Sequence, residues 1–132
     1  MLKEEQIQAI WEKGRQVPGY DKDKIRQDDC GAWILRDKYG DTSSIYGWVV
    51  DHIYPAKLLK SIGDQQESID NLANMRPLNW LNNAAKGVDF PIYKGQVRAR
   101  GNKNSLEEST YEVSLKTKAA LKAIYPKIHI TL

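Results

Sequence analysis

The sequence has one cysteine in 132 residues, which excludes an intrachain disulfide and a cysteine-rich zinc site. No apolar run approaches the roughly 20 residues that span a bilayer, so we expect no membrane contact. The first segment, MLKEEQIQAIWEKG, is charged and lacks the apolar core of an export signal, which favours a cytoplasmic protein. The length predicts a single domain over residues 1–132 with a modest core.

Hydrophobic spacing predicts a helix near each end of the chain. Ile7, Ile10 and Trp11 fall on one face of a helix over residues 3–13. A second helix is predicted over about residues 116–125, where the chain then meets a proline.

Three short apolar runs between these helices predict strands. They lie at residues 32–35, 45–53 and 75–80, and a turn at 38–44 is expected to fold the first run against the second. Pro77 indicates that the third strand is short or at an edge. The domain is therefore expected to be α+β. The remaining segments, 15–31, 56–73 and 91–104, are predicted to be loops.

The segment between the second and third strands carries groups suited to phosphodiester hydrolysis. Asp51 and His52 end the second strand, and Asn82 or Asn83 is expected to begin a helix. Carboxylate and amide oxygens suit a hard divalent cation, and an imidazole with a pKa of about 6.5 suits deprotonation of water. Neighbouring side chains on a strand point to opposite faces, so Asp51 and His52 reach one phosphate only if the strand ends there.

The order of these residues resembles HNH nucleases, with Asn in place of the last His. DHIYP, at residues 51–55, matches the family's Asp or His before the base His, then an apolar residue and a Pro. NMRPLNWLNNAAKG, at residues 74–87, matches its Asn before a short strand and its helix with the last ligand and a Lys. The Asp and Asn ligands are similar to those in the HNH domains of RNA-guided CRISPR nucleases. The resemblance covers roughly residues 8–95 and extends to small bacterial and phage HNH proteins.

The resemblance implies a ββα-metal core over about residues 45–90, flanked by the two terminal helices. It implies that His52 is the general base and that Asp51 and Asn83 hold the metal. The Asn at position 83 favours Mg²⁺ or Mn²⁺ over Zn²⁺.

Two further residues receive roles from the same resemblance. Asn74 would tie the connecting loop to the strand that carries His52, and Lys86 would face a phosphate. Asn71 stays open as the middle Asn, and Asn82 stays open as the metal ligand.

The expected partner is double-stranded DNA, and the charge distribution adds a candidate contact surface to the HNH-like motif. The net charge is +3, and residues 87–132 hold 8 Lys and Arg against 4 Asp and Glu, while the rest of the chain is nearly balanced. A basic cluster of this kind is usually a solvated loop, but beside a phosphodiester-cutting motif it predicts a phosphate-contacting arm. Arg76 either contacts DNA or lies on a solvated face. The cluster consists of Lys94, Arg98, Arg100 and Lys103.

Metal-dependent DNA cleavage is therefore the predicted function, and two other functions stay open. The first is a nucleic-acid-binding protein that has the fold but does not cleave. The second is an RNA-cleaving toxin domain.

Overall fold

Five helices and three antiparallel strand pairs form an α+β domain in the computed structural model, which describes residues 2–132. The elements are α1 (Glu4–Trp11), β1 (Ile25–Gln27), β2 (Trp33–Leu35), β3 (Trp48–His52), α2 (Ala56–Ser61), α3 (Gln66–Ile69), β4 (Met75–Asn79), α4 (Trp80–Lys86), β5 (Ile92–Arg100), β6 (Lys103–Glu112) and α5 (Leu115–Ile124). The strand pairs are β1–β2, β3–β4 and β5–β6. None of the described helices is both long enough and apolar enough to cross a bilayer.

The terminal helices predicted from the sequence are both present. On α1, the inward residues are Ile7, Ile10 and Trp11, and they pack against the strands that follow. On α5, the N-terminal cap is Ser114, whose hydroxyl accepts a hydrogen bond from Thr117 N at 3.2 Å. The cluster around α1 is completed by Ile34, Trp48 and Met75.

The first strand pair differs from the expected one. β2 pairs with β1 and not with β3, and Ile25 lies opposite Leu35. β1 has only three residues, two of them polar, inside the segment predicted to be a loop. So short a strand carries too little periodicity to be recognised in the sequence.

β3 and β4 form an antiparallel pair, and they lie within two of the apolar runs that predict strands. Asp51 lies opposite Arg76, and His52 lies opposite Met75. All five residues of β4 are buried, although the strand contains Pro77. This register places Asp51 and His52, the candidate site residues of β3, beside β4.

α4 follows β4 directly, and it begins earlier than predicted. The side chain of Asn79 accepts a hydrogen bond from Leu81 N at 2.9 Å, so Asn79 is the N-terminal cap. The prediction that Asn82 or Asn83 begins this helix is therefore wrong. Both residues lie inside the helix.

The long connection between β3 and β4 is helical instead of a loop. Pro55 precedes α2, and a 3₁₀ turn at Leu72–Asn74 leads into β4. Leu59 and Ile69 are fully buried, and these anchors fix the connection against the second core cluster. The other buried members of that cluster are Cys30, Ile53, Leu78, Tyr93, Val113, Leu121, Tyr125 and Ile128.

The segment predicted to be a basic loop is the strand β5 of a long hairpin. Tyr93, Gly95 and Val97 point inward, whereas the basic residues of β5 (Lys94, Arg98 and Arg100) are partly or fully exposed. A Cβ on Gly95 would lie 2.8 Å from the Tyr111 ring and 2.9 Å from Cys30 Sγ, so only glycine fits. Glycine and charged residues are both typical of loops, so the sequence of this segment predicts a loop although its residues alternate between inward and outward positions.

Candidate functional site

Asp51 lies in a buried cluster of charges between β3, β4 and α4. Its Oδ2 accepts a hydrogen bond from Arg76 Nε at 2.9 Å, and its Oδ1 lies 3.3 Å from Lys86 Nζ. The three side chains are at most 5% exposed. Charges this deeply buried persist only when they are paired. The register of β3 and β4 supplies the arginine, and α4 supplies the lysine.

The two cations of this cluster differ in how firmly they hold their protons. Burial lowers the pKa of Lys86, and Asp51 opposes that shift only in part. Burial acts in the same direction on Arg76, but Asp51, Tyr93 and Asp29 outweigh it and raise the pKa of Arg76 above its usual value. Arg76 is therefore the permanent cation of the cluster.

Arg76 is buried, so the sequence interpretation that places it on a solvated face is wrong. Its Nη1 donates hydrogen bonds to Asp29 Oδ2 at 3.0 Å and to Tyr93 Oη at 3.2 Å. Among residues 2–132, Nη2 has no hydrogen-bond partner. The cross-strand carboxylate of Asp51 draws the guanidinium inward, so in this arrangement Arg76 does not present itself to DNA.

His52 contacts a different part of the fold from its neighbour Asp51. Its Nε2 lies 2.7 Å from Oδ1 of Asp70, the residue that follows α3, and each side chain is 25% exposed. Gln66 Nε2 donates to Asp70 Oδ2 at 3.0 Å. Partial burial acts to raise the pKa of Asp70, but the hydrogen bonds from His52 and Gln66 outweigh it and lower that pKa. Asp70 is therefore a candidate site residue that the sequence does not indicate.

Asn74 fastens the connection to the chain just after His52. Its Oδ1 accepts a hydrogen bond from Tyr54 N at 2.8 Å, and its Nδ2 donates to Tyr54 O at 3.1 Å and to Ile69 O at 3.3 Å. Its backbone oxygen accepts a hydrogen bond from Ile53 N at 2.8 Å. Asn74 thus ties the end of the connection to the residues that follow β3. Asn71 instead caps the 3₁₀ turn through Ala73 N.

α4 carries the two remaining core candidates. Lys86 is fully buried, and its Nζ donates to His52 O at 3.2 Å besides lying near Asp51. It therefore points to the cluster and not to solvent. Asn83 is partly exposed, and its backbone oxygen accepts a hydrogen bond from Gly87 N at 3.1 Å.

Asn82, the alternative metal ligand, uses both atoms of its side-chain amide in hydrogen bonds within the protein. Its Oδ1 accepts hydrogen bonds from Gln96 N and Val97 N, and its Nδ2 donates to Val97 O and to Asp28 Oδ2. Asp28 also accepts hydrogen bonds from Asn79 N and from two backbone groups near β2. Burial raises the pKa of Asp28 in spite of these bonds. This buried junction cannot be recognised in the sequence, because Asp28 is more than 50 residues from Asn79 and Asn82.

The donor set suits Mg²⁺ or Mn²⁺ in type and number. These ions need only one or two protein oxygens besides water, and the Asp51 carboxylate and the Asn83 amide would provide them. The charge environment adds a condition, because the Asp51 carboxylate already faces two cations. Asp51 would therefore hold an ion only if it released one of these two cations, and Lys86 is the one whose pKa lies below its usual value because of burial. No group of three or more His, Cys, Asp or Glu side chains suited to a metal occurs in residues 2–132.

The basic cluster lies on the outward face and tip of the β5–β6 hairpin and is largely paired. Lys94 Nζ lies 2.9 Å from Glu108 Oε1, and Arg100 Nε donates to Glu107 Oε2 at 2.7 Å. Arg98 Nη1 lies 3.6 Å from the same Glu107. Lys103, at the tip, is exposed. The arm is thus less positive than its cations alone suggest.

These residues form two separate groups, one around His52 and one around Asp51. One is a partly exposed imidazole held by a carboxylate, and the other is a buried carboxylate held by two cations. Comparisons with protein-family models, with curated proteins and with solved structures find no match for this chain.

Proposed function

We propose that this protein is a metal-dependent endonuclease of the HNH type that hydrolyses phosphodiester bonds of double-stranded DNA in the cytoplasm. The observation that supports this most is the state of His52. Its imidazole lies at the end of β3, partly exposed, with Nε2 held by a carboxylate and with Asp51 next to it. An imidazole held through one nitrogen keeps the other free to accept a proton from water. The succession β3, β4, α4 is the order that a ββα-metal core requires.

In this proposal His52 takes a proton from water, and the water oxygen forms a bond to phosphorus as the bond to the leaving oxygen breaks. Asn74 fixes the backbone just after His52 through its pair of hydrogen bonds with Tyr54. Asp51 and Asn83 would hold Mg²⁺ or Mn²⁺, which supplies charge neutralisation at the phosphate and at the leaving oxygen. Lys86, once turned away from Asp51, would carry its charge to a phosphate.

The outward face of the hairpin is the proposed DNA-contacting surface. Lys94, Arg98 and Arg100 are 41% to 63% exposed on β5, and Lys103 is exposed at the tip. Exposed ion pairs contribute little to stability, so the nearby glutamates can release these cations to a phosphate backbone at small cost. The surface would hold DNA without reading its sequence.

A binding protein that does not cleave is the second candidate, and one observation favours it. The Asp51 carboxylate is already neutralised by Arg76 and Lys86, as it would be in a protein that has no use for a metal. The two candidates differ in whether added metal produces cleavage.

One assay separates these functions and tests RNA cleavage as well. Purified protein is incubated with supercoiled plasmid or with RNA, each with Mg²⁺, Mn²⁺, Zn²⁺ or EDTA. We expect plasmid cleavage with Mg²⁺ or Mn²⁺ that EDTA abolishes. His52→Ala should lower the rate by about 10²- to 10⁴-fold while DNA affinity stays nearly unchanged, because loss of a general base affects the chemical step. His129→Ala is the matched control, since His129 is exposed near the C-terminus.

Three results would contradict the proposal in different ways. DNA binding without cleavage in any metal would favour the binding protein. Cleavage of RNA alone would favour the toxin domain. Wild-type cleavage by His52→Ala would remove His52 from the mechanism.

A further inference from the structure

The carboxylate of Asp70 is held in place by contacts on both sides of it. Asp70 N donates to Gln66 O at 2.9 Å, which closes α3. Ile69, the preceding residue, is fully buried, and its backbone oxygen accepts a hydrogen bond from Asn74 Nδ2. Tyr125 Oη, at the end of α5, donates to the backbone oxygen of Ser68. Asp70, which faces His52, is therefore held in place by α3, by α5 and by the hydrogen bond from Asn74.

The contact between Asp70 and His52 defines which imidazole nitrogen carries a proton. An ionised carboxylate only accepts hydrogen bonds, so at 2.7 Å from Oδ1 the Nε2 atom of His52 must be the donor. In the neutral imidazole the lone pair is then on Nδ1. Gln66 occupies the other carboxylate oxygen, which keeps Oδ1 directed at the ring.

We propose that Asp70 is a positioning residue that fixes the Nε2–H tautomer and the ring orientation of His52, so that Nδ1 faces the attacking water. The inference rests on the proposed nuclease function and adds to it a residue outside the HNH-like motif. Carboxylates that orient a base histidine act this way in other hydrolases, where they hold the tautomer without taking the proton.

A purely structural role for this contact is the competing explanation, and the surroundings argue against it. Both side chains are 25% exposed, and an ion pair at such a position adds little to stability. α3 is already anchored by Ile69, which is fully buried, and by the hydrogen bond from Tyr125. The contact therefore affects the imidazole more than the fold.

The test measures the tautomer of His52 and the kinetics of cleavage in the full chain. Nitrogen-15 NMR of the imidazole rings at about pH 8.5 separates the two neutral tautomers, and His129→Gln assigns the two histidines. Four proteins are compared: wild type, Asp70→Asn, Asp70→Glu and Glu67→Gln. The last is the matched control, because Glu67 is an exposed acid on the same helix.

We expect the Nε2–H tautomer to account for nearly all of the neutral His52 in the wild type and in Glu67→Gln, and its share to fall towards that of a free histidine in Asp70→Asn. The kcat of Asp70→Asn should fall by about 10²-fold, with the KM for DNA changed by less than about threefold. Asp70→Glu, which retains a carboxylate, should recover part of the rate.

Several outcomes would overturn the inference. The Nδ1–H tautomer in the wild type would do so without any variant. A wild-type kcat or a wild-type tautomer in Asp70→Asn would do so as well. The NMR measurement does not depend on cleavage, so a chain that cuts nothing would refute the proposed function while the tautomer still decides the role of Asp70.

Discussion

Replacing Asp51 by alanine tests the buried charge cluster most directly. The change removes the carboxylate shared by the Arg76 guanidinium and the Lys86 ammonium, both at most 5% exposed. Breaking a buried ion pair by removing one partner costs about 3–5 kcal/mol, because the other charge stays buried. Lys86 can reduce this cost by releasing its proton, since burial already lowers its pKa, whereas Arg76 cannot. We therefore expect the free energy of unfolding to fall by about 3 kcal/mol.

Asp29→Ala is the matched control for this change. Asp29 Oδ2 contacts the same guanidinium at 3.0 Å, but its side chain is 59% exposed. An exposed ion pair contributes at most about 1 kcal/mol, so the control should lose less than that. The measurement is urea unfolding at pH 7 without divalent cations, followed by tryptophan fluorescence. The urea midpoints are compared between proteins whose free energy of unfolding depends equally on the urea concentration.

The pH dependence gives a second check on the same variant. A Lys86 whose pKa is lowered in the folded state binds fewer protons than in the unfolded chain, so stability rises with pH below about 10.5. Asp51 opposes this lowering, so in Asp51→Ala the pKa of Lys86 falls further and the loss of stability should shrink as the pH rises towards 10.5. Equal losses for Asp51→Ala and Asp29→Ala, or a loss below about 1 kcal/mol for the former, would refute the reasoning.

Three further outcomes are expected. Asn83→Ala should raise the Mg²⁺ or Mn²⁺ concentration needed for half-maximal cleavage, whereas Asn82→Ala should lower the urea midpoint instead; the reverse pattern would move the ligand to Asn82. Neutralising Arg98 and Arg100 together should flatten the slope of log affinity against log salt by about 2, and an unchanged slope would mean that the arm is only solvated. Because the folded pKa of Asp70 lies below 3.8, its carboxylate stabilises the fold above that pH and stops doing so as the pH falls through the lowered pKa. Asp70→Asn should therefore have a urea midpoint slightly below that of wild type at pH 6, and this small difference should shrink as the pH falls below 3.8.

The elements that the sequence predicts correctly are those whose apolar residues repeat regularly. The face of Ile7, Ile10 and Trp11 marks α1, and the β-branched and aromatic run before His52 marks β3. The α+β class follows from these patterns. Residue type and order are enough to indicate Asp51 and His52 as candidates. They do not indicate that Asp51 pairs with Arg76 or that His52 pairs with Asp70.

The features that the sequence misses depend on contacts between distant segments. The residues of β5 alternate between inward and outward positions, but one inward residue is Gly95. Glycine is needed there because Tyr111 and Cys30 leave no space for a Cβ atom. The burial of Arg76 depends on carboxylates 25 and 47 residues away. The pairing of Asp70 with His52 depends on the helical path of the connection, which has no strong hydrophobic periodicity of its own.

The buried junction at Asp28 means that the segment from 45 to 90 is not a portable module. Asp28 lies outside that segment, yet it accepts hydrogen bonds from Asn79 N and from Asn82 Nδ2 within it. An excised or transplanted version would keep both donors in its interior without an acceptor, at about 1–3 kcal/mol for each. A minimal version of the candidate site cut from this chain therefore needs either the hairpin of β1 and β2 or a new carboxylate in the position of Asp28.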